Sequence, residues 1–181
     1  MKIAVIGPQN TGKSTFIKDF LQSFDNYITT VETYRDIVEK DSLAINQDTD
    51  KESQKKIRDF LFMQVKINQN QNIIFDRCVI DNYVYTYVQH EAGIIEKYFV
   101  DESYKMMLDS LKYIDIYLFI PAALSIVLVQ DNTRDIDTAF IDKVNHHFLR
   151  VLFELARDYK INVKVISGNR KERIGRIKRI I

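Results

Sequence analysis

A parallel β-sheet covered on both faces by helices is the fold class this sequence predicts, and three observations predict it. Short apolar runs recur at residues 3–6, 27–31, 73–75, 116–120 and 163–166, the second of them the weakest. Helical patterns separate the runs. Between the first run and the first helical pattern lies the turn Gly7-Pro8-Gln9-Asn10-Thr11-Gly12-Lys13-Ser14, bounded by glycines. Continuously apolar runs suit strands buried on both faces, which is the condition of a parallel sheet between helices. Right-handed crossovers then bring the C-terminal ends of the strands to one edge, where functional residues are expected. The 181 residues, 46% apolar and 28% charged, read as one domain over 1–181, with no repeat or linker.

The first strand and its turn carry the strongest signal. Glycines at both ends let the backbone fold into a concave nest whose N–H groups point at phosphate oxygens, and the helix that follows adds its positive N-terminal dipole. This is the P-loop pattern. It predicts ATP contacts from Gly7, Asn10, Thr11, Gly12, Lys13, Ser14 and Thr15. Lys13 is expected to reach the β- and γ-phosphates, and Ser14 to ligate Mg²⁺. As an exposed loop residue, Lys13 should be replaceable by alanine with loss of activity and little loss of stability.

After the second run come Glu32 and Arg35, three residues apart and expected to face the same way on a starting helix. Glu32 is a candidate base for an acceptor hydroxyl, Arg35 a cation for an acceptor phosphate. A polar interval at 41–52 reads as a loop over the acceptor site, followed by a helix at 51–70. The third run ends in Asp76-Arg77, a carboxylate at a buried strand end suited to the Mg²⁺ shell or an acceptor group. The residue after Asp76 is an arginine, suited to gripping a phosphate or a hydroxyl-bearing group, and not the second acid of a motor ATPase. Asp81 and Tyr85 follow at i, i+4 on the next helix; Asp81 is the acceptor-binding candidate, and the tyrosines read mainly as core.

The fourth run precedes a polar interval, 130–138, that reads as a lid, in which Arg134 is the candidate to stabilise transition-state charge. A helix at 139–159 and the last strand follow. Ser167 and Gly168, just beyond that strand, are placed to pack against a nucleotide base. The C-terminal segment puts Ile174, Ile177 and Ile180 at helical spacing among basic residues, an amphipathic helix with a solvated basic face.

Composition narrows the classes further. A formal net charge of +1 gives no whole-molecule field toward nucleic acid or membrane, so a small-molecule partner fits better. Cys78 is the single cysteine, and no basic-plus-apolar leader precedes the first strand, so a cytoplasmic location is expected. The apolar stretch near 116–129 is too short to span a bilayer and contains Pro121. His146 and His147 have no Cys or His at zinc spacing. The GTPase signatures, Asn-Lys-x-Asp and an Asp-x-x-Gly after the third strand, are missing. Oligomeric state is open.

Taken together, the loop at 7–15, Glu32 with Arg35, Ser53-Gln54 with Ile57, Asp76-Arg77 with Asp81, and Asp131-Asn132-Thr133-Arg134 make the chain resemble the NadR-like P-loop kinase domains of the AAA family. That group includes ribosylnicotinamide kinase domains and is similar in plan to thymidylate and deoxynucleoside kinases. The resemblance implies a five-stranded parallel sheet with a lid, ATP, Mg²⁺ and a nucleoside or nucleotide acceptor. It places Lys13, Glu32, Asp76, Arg77 and Arg134 in catalysis, Ser14 and Asp76 at the metal, and Glu32, Arg35, Arg77 and Asp81 at the acceptor. Cys78 departs from the serine or tyrosine usual after Asp-Arg. The other reading is a regulatory or nucleic-acid-associated P-loop ATPase, supported by the basic C-terminal helix.

Overall fold

The computed structural model describes residues 1–122 and 137–181. Strands β1 (Lys2–Ile6), β2 (Ile28–Thr29), β3 (Ile73–Asp76), β4 (Ile116–Phe119) and β5 (Val163–Val165) form one sheet in the order β2-β3-β1-β4-β5. Every pairing is parallel. Each strand coincides with one of the apolar runs; β1, β3 and β4 are buried on both faces, whereas the edge strands β2 and β5 are largely exposed.

Alternate residues of each strand serve different cores. Ile3, Val5, Ile74, Ile116 and Leu118 pack on one face against Phe16, Ile17 and Phe20 of α1 (Lys13–Ser23) and Ile177 of α7 (Arg170–Ile177). Ala4, Ile6, Ile73, Phe75, Tyr117 and Phe119 meet the larger core on the other face. That core is built from α2 (Tyr34–Lys40), α3 (Lys51–Ile67), α4 (Val79–Glu91), α5 (Lys97–Ser110) and α6 (Thr138–Asp158). The result is a three-layer α/β sandwich, with five strands and seven helices among the described residues.

Helix starts follow local capping chemistry. Asp50 accepts from the Ser53 N–H at 2.8 Å to open α3, and Asp137 accepts from the Ala139 and Phe140 N–H groups at 2.9 and 3.1 Å to open α6. Asn169 and Glu172 cap α7 reciprocally. One expectation is corrected here. Glu32 and Arg35 do not share a helix face: Glu32 lies ahead of the N-cap Thr33, while Arg35 is in the first turn of α2. The capping partner of Thr33 is Asp36, whose Oδ2 accepts from the Thr33 amide at 2.6 Å.

The strand order positions the site. Because β3 is the direct neighbour of β1, with Val5 opposite Asp76, the end of β3 lies beside the start of the Gly7 turn. The Arg77 amide continues the ladder to the Val5 carbonyl at 3.0 Å. No helix among the described residues is long and apolar enough to cross a membrane.

Candidate active site

The turn after β1 needs glycine at its first position for a measurable reason. Gly7 has φ 140°, and a Cβ there would stand 2.3 Å from the carbonyl oxygen of Ile120 at the end of β4. Gly12, at φ 81°, ends the turn, and Asn10, a residue type that tolerates the left-handed region, has φ 60°. This backbone makes the concave nest whose N–H groups suit phosphate oxygens.

Lys13 corrects a second expectation, because it is buried and not exposed. Its Nζ donates to the Gly7 carbonyl at 2.8 Å and to the Pro8 carbonyl, so the ammonium sits folded into the loop. Burial, aided by the nearby positive charge of Arg77, holds its pKa well below that of an ordinary lysine. An anion entering the nest therefore finds a cation already stripped of most of its water.

Ser14 and Asp76 meet across the β1–β3 junction, Oγ of Ser14 donating to Oδ2 of Asp76 at 2.9 Å. Adjacent corners of an octahedron with metal–oxygen distances of about 2.1 Å are about 2.9 Å apart. A hydroxyl and a carboxylate at this separation fit Mg²⁺ as two neighbouring ligands. Among the described residues no cluster of three His, Cys, Asp or Glu side chains provides another metal site.

Arg77 and Asp81 form the next layer. Arg77 turns the chain from β3 into α4 with φ 74°, an uncommon value for arginine, and its guanidinium lies 4.7 Å from the Tyr34 ring centre and 5.3 Å from that of Tyr85. Asp81 is fully enclosed. Its Oδ1 accepts from Nη1 of Arg77 and from the Gly7 amide, both at 3.2 Å, and its Oδ2 accepts from the Cys78 amide at 3.1 Å. Burial pushes the Asp81 carboxyl upward, against the opposing pull of Arg77 and Lys13. Tyr85, one turn on, accepts from the Gln9 amide at 3.0 Å and donates to Oε1 of Gln9. One face of α4 thus ties down the phosphate loop.

A cavity opens beside this contact, lined by Tyr34, Ile45, Asn46, Gln54, Ile57, Leu61, Arg77, Asp81, Asn82 and Tyr85. The interval at 41–52 contributes Ile45 and Asn46 to its wall, the latter held through its carbonyl by Gln89 at 2.8 Å. Nε of Arg77 and Nε of Arg35 are both buried without a hydrogen-bond partner, two guanidinium groups with donor capacity left over. Glu32 is exposed and is not among the lining residues.

A second hollow lies between the N-termini of α1 and α7, where Thr11, Gly12, Thr15, Asp19, Gly168 and Arg170 converge. Gly168, expected at a base-binding edge, and Thr15, expected at the phosphates, are both in this wall; Ser167 is half-buried next to it. Arg173 is the residue sequence reading missed. It is buried, its Nη1 donating to the Thr11 carbonyl and its Nε to the Gly168 carbonyl, each at 2.9 Å. Within a run of basic residues its only distinguishing signal is helical phase, one position before Ile174 and four before Ile177. Asn82 was also missed as a wall residue, since an isolated carboxamide carries no motif, and Gln54, noted only within the family resemblance, was given no role. Arg134 lies outside the described residues.

The glycine-bounded nest, the buried lysine and the pairing of Ser14 at the start of α1 with Asp76 at the end of β3 define a P-loop domain on a three-layer α/β plan. The chain belongs to the AAA domain family, whose model matches residues 2–173. No curated protein matches it in sequence. Among solved structures it is similar to a deoxyadenosine kinase from M. mycoides with the products dCMP and a flexible dCDP bound (TM-score 0.71, 18% identity, 99% of this chain and 98% of that one). It is also similar to NadR protein in complex with NR (TM-score 0.68, 18% identity, 93% of this chain and 46% of that one). NadR protein with NAD and AMP-PNP aligns at TM-score 0.71 and 16% identity over 99% of this chain and 48% of that one. This chain spans about half the length of the NadR chains, and at such identities the likeness is one of fold.

Proposed function

We propose that this protein transfers the γ-phosphoryl group of ATP, with Mg²⁺, to a nucleoside or nucleotide. The observation that carries the reading is the shared wall: Asp81, Arg77 and Tyr85 line the cavity, while Asp81, paired with Arg77, and Tyr85 hold the phosphate loop through the Gly7 and Gln9 amides. A hydrolase needs only a water at the γ-phosphate, whereas a kinase needs a dry compartment opening onto it. The deoxyadenosine kinase and NadR structures, with their bound nucleosides and nucleotides, support a small-molecule acceptor of that chemistry.

In this reading the loop amides and Lys13 hold the triphosphate, and Thr15, Gly168 and Arg173 face its base. Ser14 and Asp76 would hold Mg²⁺, which would supply positive charge to offset that of the phosphates. The acceptor oxygen attacks the γ-phosphorus as the bond to the β-phosphate oxygen breaks, and ADP leaves. Arg77 and Arg35, with donor capacity to spare, steady the transferring group or an acceptor phosphate. Glu32 or Asp76 takes the acceptor proton; Glu32, exposed at the start of α2, does so only if the acceptor reaches out to it. Arg134 completes the charge stabilisation.

The test is to incubate the purified protein with ATP, Mg²⁺ and a panel of nucleosides, deoxynucleosides, their monophosphates and nicotinamide riboside, following ADP and phosphorylated product. Acceptor-dependent ADP formation is the expected result. Acceptor-independent hydrolysis, or dependence on added DNA or RNA, would replace this reading with the ATPase one.

A further inference from the structure

The α4 helix presents two adjacent rows of side chains to the cavity. Asp81 and Tyr85 face the phosphate loop, bonding the Gly7 and Gln9 amides. Asn82 and Thr86, the next positions round, face α3, where both reach Oε1 of Gln54, at 2.6 and 3.5 Å. The cavity therefore has a loop wall and an α3 wall.

The buried side-chain atoms without a hydrogen-bond partner, among the described residues, divide by chemical sign between these walls. Toward the loop they are donors: Nε of Arg77, which lines the cavity, and, outside its lining, Nε2 of Gln9 in the phosphate loop and Nε of Arg35 on α2. On the α3 side there is one acceptor, Oδ1 of Asn82, a residue 3% exposed that lines the cavity.

The orientation of the Asn82 amide is dictated by the main chain. Its Nδ2 donates to the backbone carbonyl of Gln54 at 2.8 Å, and a carbonyl can only accept. The nitrogen must be on that side, so the oxygen is turned away from it. Gln54 is fixed in the same way: its Oε1 receives Asn82, and its Nε2 donates to Oγ1 of Thr49 at 2.9 Å. Rotating the Asn82 amide would set oxygen against oxygen at the Gln54 carbonyl, and rotating the Gln54 amide would set nitrogen against nitrogen at Asn82. A buried carbonyl oxygen left unpaired costs free energy that a ligand donor recovers.

Resting on the phosphotransferase reading, we infer that Asn82 selects acceptors whose base carries an NH₂ group, an exocyclic amine or a carboxamide, against otherwise identical bases with oxygen in its place. The phosphorylated end of the acceptor lies against the donors of the loop wall, and its base lies against α3, between Tyr34 and the aliphatic side chains of Ile57 and Leu61. An NH₂ group there donates to Oδ1 of Asn82. A keto or carboxylate oxygen meets it acceptor to acceptor. Sites built to pair with a substrate group reject the analogue lacking it far more strongly than apolar pockets reject a change of size.

The experiment uses pairs in which oxygen replaces NH₂: adenosine and inosine, cytidine and uridine, where the oxo base also gains a ring N–H, and nicotinamide riboside and nicotinic acid riboside, where the acid also carries a negative charge. The amino member of each pair that is accepted at all should have a kcat/KM higher by about 10- to 100-fold. Asn82→Ala should bring the ratio toward one while leaving the KM for ATP unchanged. Calorimetric binding of the same pairs to the wild-type protein, without ATP, reads the preference independently of turnover. A binding preference without ADP formation would sink the kinase reading and keep this one. Equal use or binding of both members, a preference for the oxygen member, or a preference that survives in Asn82→Ala would overturn it.

Discussion

Removing the carboxylate of Asp81 should destabilise the protein more than any other single change in the site. Asp81→Ala leaves the Gly7 and Cys78 amides, which lie 3.2 and 3.1 Å from the carboxylate, without their acceptor. It also leaves the buried Arg77 guanidinium without its counter-charge. Losing one partner of a buried ion pair costs about 3–5 kcal/mol, and a buried donor left unpaired about 1–3 kcal/mol. These penalties overlap, because the orphaned groups share one small space, so we expect a total of about 4 kcal/mol. For a chain of this length that is a fall in Tm of about 10 °C. Urea unfolding followed by circular dichroism at pH 7 is the assay. The sign of its pH dependence follows from the raised carboxyl: stability linked to the protonated form is lost as pH rises from the ordinary carboxylate range through the folded-state value. In a double-mutant cycle, Arg77→Met should recover part of the loss, since no charge is then left stranded. A loss below about 1 kcal/mol, or strict additivity with Arg77→Met, would refute the account of Asp81 as the clamp between loop and helix.

Four further outcomes follow from the same geometry. Gly7→Ala should unfold the loop or cost more than about 2 kcal/mol, since its Cβ would stand 2.3 Å from the Ile120 oxygen; a stable variant that still binds nucleotide would contradict this. Lys13→Ala should lower kcat at least about 100-fold, with a stability change within about 1 kcal/mol because the lost hydrogen bonds are offset by relief of a buried charge; kinetics and melting together check it. Because burial lowers the pKa of Lys13 and a bound triphosphate would raise it again, ATP binding should take up protons and weaken as pH rises through the lowered value toward 10.5; Lys13→Arg should flatten that slope in calorimetry. Arg173→Ala should raise the Kd for ATP about 10-fold with kcat little changed, as two charged hydrogen bonds to the loops are lost; a kcat effect without a Kd effect would remove Arg173 from the nucleotide side.

The parts of the site legible in the sequence are those in which chemistry and backbone geometry are bound to fixed spacing. Gly7, Gly12, Lys13 and Ser14 form a contiguous pattern, and Asp76 is announced by the buried run it terminates. The central strands were readable because burial on both faces leaves polar residues only at their ends, Lys2 in β1 and Asp76 in β3. What could not be read depends on packing across the chain. Lys13 is enclosed because α4 lies over the loop; Glu32 is parted from Arg35 because Thr33 and Asp36 take the capping roles; Arg173 matters because α7 docks beside α1. Asn82 and Gln54 meet only through the pairing of α3 with α4, and nothing local to either residue signals it.

The two rows on α4 have a consequence for how such a protein can change. The residues that grip the phosphate loop and those that face α3 alternate along a single helix, so each set can be substituted without displacing the other. Acceptor preference can drift, or be redesigned, at positions 54, 82 and 86 while the machinery of phosphate transfer is inherited intact.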